Sequence, residues 1–288
     1  MRGDAATMKV LAPRSAREAA RLFSKDPKAL PLAGGTDLMV AWNAGLLNQR
    51  AVLDLSGIAE WRRVLPLREG LRLGALLTHT QLQRSKEVQR RFPLLAEACA
   101  TIGAAQIQNR GTIGGNIANA SPAGDTFPAL AVYEAVVHAL SSRGSRIIPF
   151  PEFFAGVKKT TLTPGELIAA VELYDVDPKP TRQMFRKVGT RAAQAISKTV
   201  ACGLLWVNPD KTVRELRFAL GSMAPTVRRL THAEELVRGK VLTDDVIAKA
   251  CELLERDVSP IDDVRSTRPY RLAVSKNLLR NFLEARPR

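Results

Sequence analysis

The residues best suited to chemistry lie in two short segments, Leu32-Ala33-Gly34-Gly35-Thr36-Asp37-Leu38 and Thr112-Ile113-Gly114-Gly115-Asn116. Each sets paired glycines beside hydroxyl or amide residues. Paired glycines strip the backbone of side chains and permit φ > 0, so successive N–H groups can converge on an anion. Threonine hydroxyls add donors without any fixed positive charge. Gly34 and Gly114 stand 80 positions apart, so the two segments could grip one phosphorylated ligand from two sides. A dinucleotide pyrophosphate needs that kind of grip. A single Gly-Gly pair suits any turn; two of them, with Ser121-Pro122-Ala123-Gly124-Asp125 just downstream, are a stronger signal. Neither segment is a Gly-x-x-x-x-Gly-Lys-Ser/Thr loop or a Gly-x-Gly-x-x-Gly turn, which excludes a P-loop enzyme and a Rossmann dehydrogenase.

The rest of the composition narrows the class. The 288 residues are 45% hydrophobic and 25% charged, ordinary for a globular protein with a large core and two or three domains. No run of apolar residues is long enough for a transmembrane helix, and Met1 to Val10 has no apolar core of a secretion signal. The expected location is therefore cytoplasmic, with any membrane association arising through a complex. Cys99, Cys202 and Cys251 are odd in number and dispersed, which argues against a disulfide framework or a Cys-x-x-Cys site. His79, His138 and His232 show no metal-ligand spacing, and His79 and His138 read as structural residues. The net charge is +15, and residues 178–288 hold 22 Lys and Arg against 12 Asp and Glu. A basic face of this kind suits an acidic protein partner or plain solvation. No aromatic–basic stacking pattern or recognition-helix signature points to nucleic acid.

The elements that must position the glycine segments follow from periodicity. Lys9 to Leu11, Ala29 to Ala33 and Ala51 to Leu55 read as strands. Ser15 with Glu18 forms a capping-box pattern that opens a helix through Phe23, and Leu38 to Asn43 is a short helix after the first glycine pair. Leu71 to Ala75, Val136 to Ser141 and Leu167 to Leu173 are further strands. Thr80 to Ser85, Pro93 to Ala100 and Pro128 to Glu134 are helical. Gly111 to Phe127 is rich in Gly, Asn, Ser and Pro, and reads as a long irregular functional segment. Asp175 to Pro180 reads as a linker. Beyond it, strands at Gln183–Val188, Ala201–Val207 and Val213–Leu220 precede helices at Thr231–Val237, Thr243–Asp257 and Pro269–Glu284. Asn208 to Lys211 makes the turn of an antiparallel hairpin.

These segments together resemble one family. Ala33 to Leu38, Gly74-Ala75-Leu76-Leu77-Thr78-His79, Thr112 to Ala118 with Ser121-Pro122 and Asp125, and Phe185-Arg186-Lys187-Val188-Gly189 leading to Ile196-Ser197 occur in order over nearly the whole chain. They resemble the FAD-binding medium subunit of the molybdenum hydroxylases, the family of xanthine dehydrogenase and carbon monoxide dehydrogenase. The resemblance implies an α+β chain: a two-subdomain FAD-binding fold of the vanillyl-alcohol-oxidase/PCMH type, residues 1–55 and 56–177, followed by a C-terminal α+β domain, residues 178–288. It implies that FAD is held by Pro31, Leu32, Ala33, Gly34, Gly35, Thr36, Asp37 and Leu38, and by Thr112, Ile113, Gly114, Gly115 and Asn116. It places Asp125 near the cofactor, Ile102 and Ile168 against the isoalloxazine, and Lys187 where a cation favours the reduced anionic ring. It implies no catalytic acid–base pair and no metal in this chain.

Each of these residues has a plainer alternative. Asp125 suits a turn cap before Phe127–Pro128, Asp37 a helix cap, Ile102 and Ile168 a core, and Lys187 a solvated strand. Two departures from the family pattern stand out. Arg191 to Ser197 contains no aromatic residue to stack on the flavin, and no cysteine cluster exists for the extra 4Fe–4S centre of the reductase relatives. The implied partners are a large molybdopterin-binding subunit and a small subunit with two 2Fe–2S clusters, in a dimer of heterotrimers. The implied role is electron transfer from those clusters through FAD to an external acceptor. The competing readings are a stand-alone FAD-dependent oxidase or dehydrogenase of the same fold, and a non-catalytic nucleotide-binding protein.

Overall fold

The computed structural model describes residues 8–47 and 50–285. The first body contains β1 (Val10–Leu11), α1 (Ala16–Lys25), β2 (Leu30–Leu32), α2 (Leu38–Asn43) and β3 (Val52–Asp54). Its three strands are parallel in the order β1-β3-β2. The Ser15 hydroxyl accepts the Glu18 N–H at 3.2 Å and so caps α1. The Glu18 carboxylate takes the Arg14 N–H at 2.9 Å. Ala19 and Phe23, one helical turn apart, face Leu53, Leu55, Ile58, Trp61 and Leu76. Helix α2 buries none of its residues, so it depends on the glycine turn that launches it.

The second body runs β4 (Val64–Leu67), β5 (Gly70–Gly74), α3 (His79–Arg84), α4 (Lys86–Arg91), α5 (Pro93–Ala100), α6 (Ala105–Arg110), α7 (Ile113–Asn119), α8 (Phe127–Val132), β6 (Val136–Ser141), β7 (Gly144–Pro149), β8 (Phe154–Gly156), β9 (Lys159–Thr160) and β10 (Leu167–Tyr174). Its antiparallel sheet is ordered β4-β5-β10-β6-β7, with the β8–β9 ribbon beside it. His138 is structural, as expected. Its Nε2 lies 3.0 Å from the buried Glu172 carboxylate, which also accepts from Arg72 at 3.0 Å. Asp175, just past the end of the central strand β10, pairs with Arg91 of α4.

One expectation fails here. The Gly- and Asn-rich stretch after Gly111 is not irregular throughout: residues 113–119 form α7. The helix is imposed from outside. Thr112 caps it, accepting the Gly115 N–H at 3.1 Å, and its first two amides donate to Leu77 and Ala75 carbonyls of the neighbouring segment. Tertiary contacts thus override weak intrinsic helix propensity.

The third body contains β11 (Arg182–Val188), β12 (Thr199–Val207), β13 (Val213–Gly221), β14 (Arg228–Arg229), α9 (Thr231–Val237), α10 (Asp244–Asp257) and α11 (Arg268–Glu284). The sheet is antiparallel in that order, and the Lys211 N–H closes the hairpin turn on the Asn208 carbonyl at 2.9 Å. Strand β12 is covered on both faces. Cys202, Leu204 and Trp206 pack into the interior of the second body, whereas Ala201 and Leu205 pack under α9, α10 and α11. This is the period of two expected of a strand between two layers. Gly203 supplies room: a Cβ there would lie 2.8 Å from both the Phe218 and Phe282 rings. Helix α8 is buried along its length against this sheet, with Pro128 beside Gly221. One hydrophobic interior therefore passes across the Asp175–Pro180 crossing. No helix among the described residues is long and apolar enough to cross a membrane.

Candidate functional site

The two glycine segments meet in space. A Cβ on Gly34 would fall on the Arg110 carbonyl, and the next nearest atom is Gly111 Cα. The first glycine turn therefore sits directly on the backbone that leads into Thr112. A third segment braces the junction from behind. The His79 N–H donates to Gly111 O at 3.0 Å, the Ile113 N–H to Leu77 O at 3.0 Å and the Gly114 N–H to Ala75 O at 2.9 Å. A Cβ on Gly114 would lie 2.6 Å from Ala75 Cβ, so that glycine exists for the contact.

Between these segments opens a cleft of about 440 Å³, lined by residues 31–38, by His79, Ile102 and Ile107, and by Gly111, Thr112, Gly115, Asn116, Ala118 and Asn119. Its donors are unevenly distributed. Gly35 has φ +77, a left-handed conformation that L side chains rarely adopt. Among the described residues, the amides of Gly34, Gly35, Thr36 and Asp37 donate to no protein acceptor. Asp37 makes no side-chain bond to α2, so the capping alternative is not realised. The second segment differs. Gly114 and Gly115 are helical, not left-handed, and the amides of Ile113, Gly114, Gly115 and Asn116 all have protein acceptors. A nest of bare amides thus exists in the first segment only. The second offers side chains: Asn116 Oδ1 accepts the Thr126 hydroxyl at 2.6 Å, which leaves the Asn116 amide N–H donors for the cleft.

A second cleft of about 620 Å³ shares Ile107 with the first and is lined by Gly103, Ala104, Ser121, Ala123, Asp125, Arg191, Gln194 and Ile196, among others. The loop after β11 crosses it, with the Gln194 N–H donating to Gly103 O at 3.1 Å. Asp125 is buried here. Lys187 Nζ donates to its Oδ2 at 2.6 Å and to Thr101 O at 2.8 Å. Asp125 Oδ1 is buried with no partner among the described residues. Burial raises the Asp125 carboxyl to about 6, against the opposing pull of the Lys187 charge and hydrogen bond. Lys187 is therefore no solvated strand residue, and its charge is matched by Asp125. Ile102 lines the first cleft. Ile168 is packed in the core opposite Ala139. Ile113 is also fully buried in the core. Ile107 lines both clefts and is not among the residues that the sequence motifs point to. Its only sequence signal was an apolar residue in an otherwise polar short helix.

The FAD binding domain of molybdopterin dehydrogenases matches residues 6–173, and the C-terminal domain of CO dehydrogenase flavoproteins matches residues 184–285. The chain belongs to the FAD-binding medium subunits of the molybdenum hydroxylase family. The xanthine dehydrogenase FAD-binding subunit of Escherichia coli O157:H7 is 30% identical over 270 residues, covering 92% of this chain and 91% of that one. The carbon monoxide dehydrogenase medium chain of Hydrogenophaga pseudoflava is 29% identical over 276 residues, 95% of each. Among solved structures, carbon monoxide dehydrogenase from H. pseudoflava superposes with a TM-score of 0.90 at 27% identity, over 96% of each chain. Quinoline 2-oxidoreductase from Pseudomonas putida 86 superposes at 0.89 and 25% identity, over 98% of this chain and 97% of that one. The two clefts of this medium subunit adjoin at Ile107, an arrangement that suits an elongated ligand. The free amides around the positive-φ glycine can donate to an anion, and the orphaned Asp125 oxygen can accept from a hydrogen-bond donor.

Proposed function

We propose that this chain is the FAD-carrying electron-transfer subunit of a heterotrimeric molybdenum hydroxylase. It would receive electrons from 2Fe–2S clusters on a small partner and pass them to an external acceptor, while a large molybdopterin subunit oxidises the substrate. The complex would be a dimer of heterotrimers. The carrying observation is the run of four unpaired amides from Gly34 to Asp37, pinned against the entry to α7. Bound FAD supplies the redox chemistry; this chain supplies position and electrostatics.

Residues 31–38 form the diphosphate seat, with the main-chain N–H groups of Gly34 to Asp37 and the Thr36 hydroxyl as its donors. Thr112 and Asn116 add side-chain donors, while Ile113 and Gly114 hold that wall in place. Ile102 and Ile107 give the ring apolar surface, and Ile168 backs the sheet beneath. Asp125 offers Oδ1 to an N–H of the ring, and Lys187 holds that carboxylate in its orientation. The domain divisions at residues 55 and 177 follow from the same reading: two subdomains build the cofactor seat and the third covers it. The relatives that are parts of dehydrogenase complexes, including the carbon monoxide dehydrogenase medium chain, support the partner assignment.

The test is to purify the chain alone and then with candidate partner subunits. A yellow protein that turns over no substrate until the partners are added is the expected result. A colourless chain with no affinity for added FAD would refute the reading, and turnover by the chain alone would favour a stand-alone oxidase.

A further inference from the structure

His79 is 2% exposed, yet it lines the first cleft. Its ring is fixed at both edges. Nδ1 lies 3.7 Å from the Sγ of Cys99, which is fully buried in α5. The other edge lies against Gly111: a Cβ there would be 3.2 Å from His79 Cδ2 and 3.5 Å from Nε2. Nε2 has no protein partner among the described residues. The main chain repeats this placement, because the His79 N–H is bonded to Gly111 O.

The protonation states follow from the surroundings. Burial lowers His79 to about 4, so the imidazole is neutral near pH 7. Burial raises Cys99 well above the usual thiol range, so it keeps its proton. A protonated thiol can donate to the Nδ1 of a neutral imidazole, and in that direction Nδ1 accepts. The single ring proton is then on Nε2, since one nitrogen of a neutral imidazole donates when the other accepts.

We propose that His79 is a further cofactor-binding residue of the cleft, presenting an Nε2–H donor to the anionic diphosphate, and that Cys99 is the positioning residue that sets this tautomer. The assignment rests on the FAD reading above. It resolves an imbalance in the site, because the second wall has spent its main-chain amides on Leu77, Ala75 and Thr112 and must grip through side chains. A neutral donor fits a cleft whose first wall also uses uncharged N–H groups.

The test uses the full chain and FAD as the probe. His79→Leu should weaken FAD affinity about tenfold or more, the effect of losing one hydrogen bond to a charged group. His79→Gln, with an amide N–H near the place of Nε2, should recover most of that loss. Cys99→Ala should shift the ring toward the other tautomer in nitrogen-15 spectra of labelled histidine, with a smaller loss of affinity. A merely structural histidine would lower the melting temperature of the FAD-free chain while leaving the affinities of the Leu and Gln variants equal. That result overturns the proposal, as does a folded His79→Leu chain that binds FAD within twofold of wild type. Spectra of the wild-type chain decide the matter without any variant: a proton on Nδ1 refutes it. If the wild-type chain binds no FAD at all, the cofactor reading itself fails and takes this inference with it.

Discussion

The two glycine pairs share a written pattern and differ in physics. Gly34-Gly35 opens a half-buried turn whose amides are free and whose second residue is left-handed. Gly114-Gly115 lies in the first turn of a helix whose amides are spent, with Gly114 pressed on Ala75. The first pair does both: Gly34 makes room for the Arg110 backbone and Gly35 turns the free amides outward; the second pair only makes room for a neighbouring chain segment. Small residues at a phosphate cleft therefore serve two separate ends, ligand access and segment packing, and only the surroundings tell them apart.

Substitutions break this comparison in graded fashion. Gly34→Ala should have the largest effect, because its methyl would occupy the Arg110 carbonyl and separate the two segments. FAD retention should be lost, with a clear drop in melting temperature, read by flavin absorbance and thermal unfolding. Gly114→Ala should cost about 1–3 kcal/mol of stability through overpacking, measured by urea unfolding. Ala75→Gly in the same chain should recover part of it.

The ion pair in the second cleft sharpens the contrast by pH. The native Asp125 carboxyl, near 6, lies above its ordinary value of 3.8, so the native state binds that proton more tightly than the unfolded chain. Its contribution to stability is full below pH 3.8 and is lost as pH rises through 6, by on the order of 3 kcal/mol. Urea titrations of the FAD-free chain should show this slope, and Asp125→Asn should remove it.

Gly35→Ala should cost about 1–2 kcal/mol through left-handed strain. Its effect should fall on FAD affinity more than on folding, since its methyl would meet only the Leu32 and Met39 side chains at 3.3 Å. Gly115→Ala should be mildest, below ~1 kcal/mol. Its methyl would meet the Thr112 hydroxyl at 3.0 Å, and the loss is at most a weakened cap. Parallel measurement of melting temperature and FAD affinity checks the order. Equal effects at Gly35 and Gly115 would erase the distinction.

Much of the third body was legible because its apolar residues follow simple periods: Ala201 to Val207 as a strand, Thr243 to Asp257 as a capped helix. The motifs around both glycine pairs were legible as a family resemblance. What they do individually was not. Helix α7 is built from residues with poor helix propensity and exists because Thr112, Leu77 and Ala75 complete its first turn. His79 read as structural, and its contact with the Cys99 thiol is one that sequence spacing does not encode. The resemblance placed Lys187 and Asp125 each near the cofactor, but that the two pair with one another, at 2.6 Å, is not written in their spacing.

Strand β12 gives one face to the interior of the second body and the other to the helices of the third. The prolines between those bodies therefore mark a crease and not a hinge. The bodies cannot swing apart to admit or release a cofactor without exposing Cys202, Leu204 and Trp206 to water. The second and third bodies are therefore expected to unfold together, in one transition.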